Sequence, residues 1–307
     1  MVPQLNSSWE AYEYYVINCS DPRTDSYPLL NREPWLTLAV IAAYLGFVVT
    51  GPAFMAKREA LSLKPFLLAY NFFLVALSGF MFYEYLAVSF LSGYNYLCQP
   101  VDYTYATDEL SLRMVRANYL FFLSKVIELA DTVIFILRKK NNQVTFLHVY
   151  HHSGMVLNWY LAAKYSAVGQ SFFVGMLNSF IHTLMYTYYG LAGLGPHMQR
   201  YLWWKRYMTR LQLIQFVFII SHTGYNKFFA KDCVYPWLFN SITFYYTWSI
   251  FMLFVNFYYH TYIRRPKNLK STNGLAANKE PTNGVHRNIS NGIKLRQVGK
   301  TVTNGGL

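Results

Sequence analysis

Acidic residues are scarce in this sequence, with 14 Asp and Glu against 27 Lys and Arg, and charged residues together make up only 13% of the 307. A soluble domain carries about 25%, so the shortage argues against one. Cysteine is scarce too, and three residues exclude a disulfide-dense scaffold. Residues 1–33 lack the basic stretch and short apolar core of a cleavable signal peptide, so none is expected. No internal repeat is visible. What is present instead is 54% hydrophobic and 19% aromatic residues, which rules out a disordered polymer.

The net charge of +13 suggests nucleic acid only until it is mapped. From Arg264 onward nine Lys or Arg face one acid, Glu280, so +8 of the +13 lies in the tail. The rest is apolar runs with short basic punctuation, the pattern of an integral membrane protein. Residues 34–56, 65–83, 141–163, 165–199, 211–226 and 233–263 contain no Asp, Glu, Lys or Arg. With about 20 apolar residues needed per span, seven spans are predicted near 35–55, 65–86, 117–137, 144–163, 171–191, 208–227 and 238–262. The fold class expected is therefore all-α and membrane-integral, with a luminal segment 1–34, a transmembrane domain 35–265 and a basic, disordered tail 266–307.

Loop charges set the orientation. Lys57, Arg58 and Lys64, then Arg138, Lys139 and Lys140, then Arg200, Lys205, Arg206 and Arg210 fall on the tail's side. That side is expected to be cytosolic and the N-terminus luminal. The sequons at Asn6 and Asn18 fall on the luminal side, as do all three cysteines. Cys98 and Cys233 flank spans there and are predicted to pair, leaving Cys19 free. The basic tail suits the anionic cytosolic leaflet or simply a solvated segment.

Ionisable residues inside a span are costly, which makes them functional candidates. The third span carries Lys125, Glu128 and Asp131 on one helical face, with Thr132 beside them. A purely structural Lys125–Glu128 ion pair is an equal alternative. The fourth span opens with His148, His151 and His152 on one face. The fifth carries Asn178, His182, Met185, Tyr186 and Tyr189, and the sixth Gln212, Gln215 and His222. Counted as helix from the cytosolic ends at about 1.5 Å per residue, Asp131, His148, His151 and His182 all lie roughly 10–17 Å deep. One enclosed polar site is expected there, with His222 deeper.

Three chemistries fit a histidine cluster. Imidazoles can ligate iron or zinc, as in membrane desaturases and hydroxylases; one box among eight His leaves too few clustered ligands for a di-iron centre, while a mononuclear site with Asp131 stays open. Imidazoles can act as acid, base or nucleophile in acyl transfer; no cysteine lies in any span to take that role. A non-enzymatic transporter with a proton relay is the third.

The segments Lys125–Thr132, His148-Val149-Tyr150-His151-His152, Asn178–Tyr189, Thr209–Phe216 and Tyr201-Leu202-Trp203-Trp204-Lys205 together resemble the very-long-chain fatty acid elongases of the endoplasmic reticulum, over roughly residues 30–265. The resemblance implies a condensing acyltransferase, a 3-oxoacyl-CoA synthase. It joins a long-chain acyl-CoA to malonyl-CoA and releases CO₂ and CoA. It implies seven helices, six of them ringing a narrow acyl tunnel closed toward the lumen. By that similarity His151 is the nucleophile that takes the acyl group, and His182 serves the malonyl half. His148, His152 and Asp131 orient the imidazoles. Lys125, Glu128, Asn178, Tyr186, Gln212, Gln215 and His222 bind substrate, and Arg138, Lys139, Lys140, Lys205 and Arg206 meet the CoA phosphates or merely set topology.

No tightly bound cofactor and no metal are implied. The partners implied are the bilayer and the reductase, dehydratase and enoyl reductase of the elongation cycle, with a homodimer left open and no nucleic acid. The lysine-based retrieval signal of many relatives is not found at Thr303–Leu307, so residence in the endoplasmic reticulum is expected to need another device.

Overall fold

A lipid-embedded backbone must satisfy every amide internally, and the long uncharged runs do so as helices. A computed structural model describes residues 8–31, 33–230 and 232–264, among which there is no strand. Asn6 and the tail 266–307 lie outside the described residues.

After a short α1 (Ser8–Tyr12), eight further α-helices follow among the described residues. They are α2 (Trp35–Met55), α3 (Lys64–Leu91), α4 (Glu109–Glu128), α5 (Ala130–Leu137), α6 (Phe146–Tyr165), α7 (Ser171–Leu194), α8 (Lys205–Phe228) and α9 (Trp237–Tyr258). By length and composition alone, α2, α3 and the stretch Trp237–Ile263 are apolar enough to cross a membrane. Each has a broad outward apolar face: Val49 is 78% and Phe90 77% exposed. Such apolar exposure over whole helices suits a lipid environment. The protein is thus a multi-pass membrane protein.

The predicted third span differs in two ways. It starts at Glu109, where Asp108 caps the first turn by accepting from the Ser111 amide at 3.1 Å. It also breaks at Leu129, where the Leu129 and Thr132 amides bond three residues back, to Val126 and Leu129. The tightened turn separates α4 from α5 amid the span's polar residues. Helix α5 ends on Lys139 at φ 55°, with the Lys140 amide reaching the Phe135 carbonyl at 2.8 Å.

Helix α3 packs along α7 and α4; α4 also packs on α6, α6 on α9, α9 on α8, and α8 on α7. Helix α2 lies against α5 and α6. Two closures tie one end together. A disulfide joins Cys98 to Cys233, leaving Cys19 free. Lys164, wholly buried on α6, donates to Asp25 at 2.5 Å and to the Leu30 carbonyl at 2.9 Å, pinning the N-terminal segment. Its sequence position among loop charges gave no hint of that pairing.

Candidate active site

Thr145 caps α6 by accepting from the His148 amide at 3.2 Å, so the histidine box begins on the helix's first turn. Residues 141–145 are not α-helical. His148 therefore lies nearer the helix end than a count of helical residues from Lys140 placed it. The three imidazoles cluster as their spacing predicts: ring centroids are 4.2 Å apart for His148 and His152, and 5.6 Å for His151 and His152.

The third-span residues divide between two partners. Lys125 Nζ donates to Glu128 Oε1 at 2.7 Å and stands 3.2 Å from His182 Nδ1, and Glu128 Oε1 is itself 3.2 Å from that nitrogen. All three side chains are buried. Asp131, expected to orient an imidazole, instead accepts from the Tyr186 hydroxyl at 3.2 Å. The carboxylate against a histidine is Glu128. Helical spacing accounts for it: Asp131 lies one turn beyond Glu128 and Tyr186 one turn beyond His182 on α7, so the two carboxylates meet successive partners. Thr132 takes one imidazole of the box, 2.8 Å from His148 Nε2.

A cavity opens beside the box. It is narrow, with a volume of about 70 Å³. His151, Asn178 and Gln215 line it, together with Met155, Trp159, Phe216, Phe239, Tyr246 and Ile250. On α6 its wall runs from His151 to Ala162, about 16 Å of helix. His151 Nδ1 and Asn178 Oδ1 are buried and find no hydrogen-bond partner in the protein. Such atoms cost about 1–3 kcal/mol each unless something pairs with them. Asn158 and Thr247 line the same wall and were not anticipated; as single amides and hydroxyls in apolar spans they carry no signal in sequence.

Other predicted residues fall elsewhere. Gln212 donates to the Met185 sulfur at 3.6 Å, outside the cavity lining. His222, expected to bind substrate, is drawn into the closure at the disulfide end. Its Nε2 lies 2.9 Å from Gln170 Nε2 and 3.0 Å from the Tyr96 carbonyl, and its ring stacks on Phe173. It shares a face with Gln215, but seven residues of helix carry it past the cavity. Lys139 donates to the Ala56 carbonyl at 3.2 Å, and neither it, Arg138 nor Lys205 lines the cavity. Among the described residues no three His, Cys, Asp or Glu are arranged to hold a metal ion.

A buried acid–base triad, a histidine cluster and a long apolar cavity define a class, a membrane enzyme acting on an aliphatic chain. Family comparison is specific: residues 29–270 match the ELO (GNS1/SUR4) family, and the chain belongs to it. It is 44% identical over 296 residues to human "Very long chain fatty acid elongase 4", covering 95% of this chain and 92% of that protein. It is 46% identical over 252 residues to human "Very long chain fatty acid elongase 1", covering 81% and 88%. A rat "Very long chain fatty acid elongase 2" is 41% identical over 285 residues, covering 91% and 98%.

Proposed function

We propose that this protein is the condensing enzyme of fatty acid elongation, working through an acyl-histidine. The observation that carries the mechanism is His151 Nδ1, buried and unpaired on the wall of an apolar cavity. A ring nitrogen of His151 attacks the thioester carbonyl of the long-chain acyl-CoA. The C–N bond forms, the C–S bond breaks, and CoA leaves as the thiol with the imidazole's proton. The acyl tail lies along Met155, Trp159 and Phe239, where each buried CH₂ contributes about 0.8 kcal/mol.

Malonyl-CoA then loses CO₂, and the electron pair of the broken C–C bond becomes the enolate. His182, held by Lys125 and Glu128, is the electrostatic partner of that charge, and Asn178 stands one turn away on α7. The enolate carbon attacks the acyl carbon, the C–N bond breaks, and the departing imidazole takes up one proton from solvent, so that 3-oxoacyl-CoA leaves with neutral His151 regenerated.

The packing pairs support a ring of α3, α4, α6, α9, α8 and α7, since each packs on the next and α7 returns to α3. With α4 and α5 as one broken span, seven spans put the N-terminus in the lumen and the tail in the cytosol, in the endoplasmic reticulum membrane. The cytosolic Arg138, Lys139, Lys205 and Arg206 are placed by charge to meet CoA phosphates. The cycle's reductase, dehydratase and enoyl reductase would consume the product.

The test is to incubate the purified enzyme with acyl-CoA alone, denature it, and weigh the peptide containing His151. An acyl mass on that peptide is expected. Its absence, with condensation intact, would mean direct attack of the enolate on the thioester.

A further inference from the structure

Helix α2 packs on α5 and α6, and its composition is that of an ordinary apolar span. One hydroxyl interrupts this at the site. Tyr44 Oη lies 3.0 Å from Thr132 Oγ1, and the same oxygen lies 2.8 Å from His148 Nε2. Both hydroxyl residues are buried, Thr132 completely. Three helices thus contribute to one line of polar atoms, and it ends on the histidine box.

The approach is built in. Gly51 is two helical turns after Tyr44, on the same face. A Cβ there would meet Ile136 at 3.1 Å, one turn after Thr132 on α5. The small residue lets α2 close on α5, which brings the tyrosine within reach of the threonine.

Proton accounting fixes the direction. Tyr44 has a single hydroxyl proton, and Thr132 is its partner. If Tyr44 donates to Thr132, then Thr132 donates to His148 Nε2 and every proton in the line is used. The reverse order would leave the phenolic proton buried without an acceptor. His148 therefore accepts at Nε2 and carries its own proton on Nδ1. Its ring packs at a tilt against His152, which in turn packs edge-on against His151.

We infer that Tyr44 and Thr132 are positioning residues for the condensing reaction. They form a hydroxyl relay from α2 that holds His148 in one tautomer and one orientation, and through it the imidazole cluster around His151. The inference rests on the acyl-histidine site proposed above. It makes the first long helix part of the active-site machinery rather than a passive neighbour of it.

The experiment is a double-mutant cycle in full-length enzyme, read as kcat and KM with acyl-CoA and malonyl-CoA. Tyr44→Phe and Thr132→Val should each lower kcat about tenfold, with both KM values within about twofold of the parent. Because the relay acts as a unit, the double variant should be no slower than the slower single one. Thr132→Ser, which keeps the hydroxyl, should retain most of kcat. Normal turnover by Tyr44→Phe, or losses that multiply in the double variant, would overturn the relay. If Thr132→Val does not fold, Tyr44→Phe alone decides, since it keeps the ring and removes one oxygen. His151→Ala in the same assay separates the two ideas. Condensation by that variant sinks the site reading itself; an inactive His151→Ala beside a normal Tyr44→Phe sinks only the relay.

Discussion

Lys125 and His182 meet across two helices, Nζ to Nδ1 at 3.2 Å, with one oxygen of Glu128 touching both. Lys125 is 2% exposed and Glu128 3%. Removing one partner of such a pair leaves an uncompensated buried charge, typically at a loss of about 3–5 kcal/mol. Lys125→Met should therefore melt well below the parent in detergent. Lys125→Met combined with Glu128→Gln should recover part of that loss, while neither variant condenses substrate. A double variant less stable than Lys125→Met would contradict the pairing.

At the closed end the asymmetry runs the other way. Lys164 is fully buried, but its partner Asp25 keeps 40% of its side chain exposed. Asp25→Ala strands a buried ammonium with only the Leu30 carbonyl, whereas Lys164→Met strands a carboxylate that can hydrate. Thermal melting should show Asp25→Ala to be the more destabilised of the two. The reverse order would mean that water already reaches Lys164.

Thiol counting checks the cross-link. Denatured without reductant, the protein should take up one maleimide-polymer tag, on Cys19, and after reduction three. Three tags without reductant would show that the bond does not form. In the folded protein, burial pushes the Cys19 thiol above its ordinary range. Less thiolate is then present at any given pH. Native-state alkylation should be slow at neutral pH and still accelerating where a free cysteine has levelled off.

Gly154 is packed against Tyr246. A Cβ there would lie 2.7 Å from the Tyr246 hydroxyl, which donates to the His151 carbonyl at 3.0 Å. Gly154→Ala must push that ring, which also lines the cavity. Overpacking of this kind costs about 1–3 kcal/mol. Both melting temperature and kcat with long acyl-CoA should fall, and Tyr246→Phe in the same background should restore part of the stability. An unchanged Gly154→Ala would show that the ring has room to yield.

Helix existence and order were legible because uncharged runs in lipid have few other options. The histidine box was legible because three imidazoles within five residues have few structural explanations. Partner choice was not. Lys125, Glu128 and Asp131 share one face by spacing alone, and only the packing against α7 decides that Glu128 meets His182 while Asp131 meets Tyr186. His222 shared a face with Gln215, but spacing says nothing about what packs at the far end of a helix. Tyr44 is one of 28 tyrosines, and nothing local marks it. Lys164 has no acid near it in sequence, because its partner is 139 residues distant.

The tight turn at Leu129 has a mechanical consequence. Lys125 and Glu128 ride on one rod, Asp131 and Thr132 on another, and each rod has its own tether to a different histidine. Strain introduced on α4 meets this turn before it reaches Thr132 and His148. The two halves of the buried polar cluster are therefore anchored separately, and a substitution on one rod need not displace the contacts of the other.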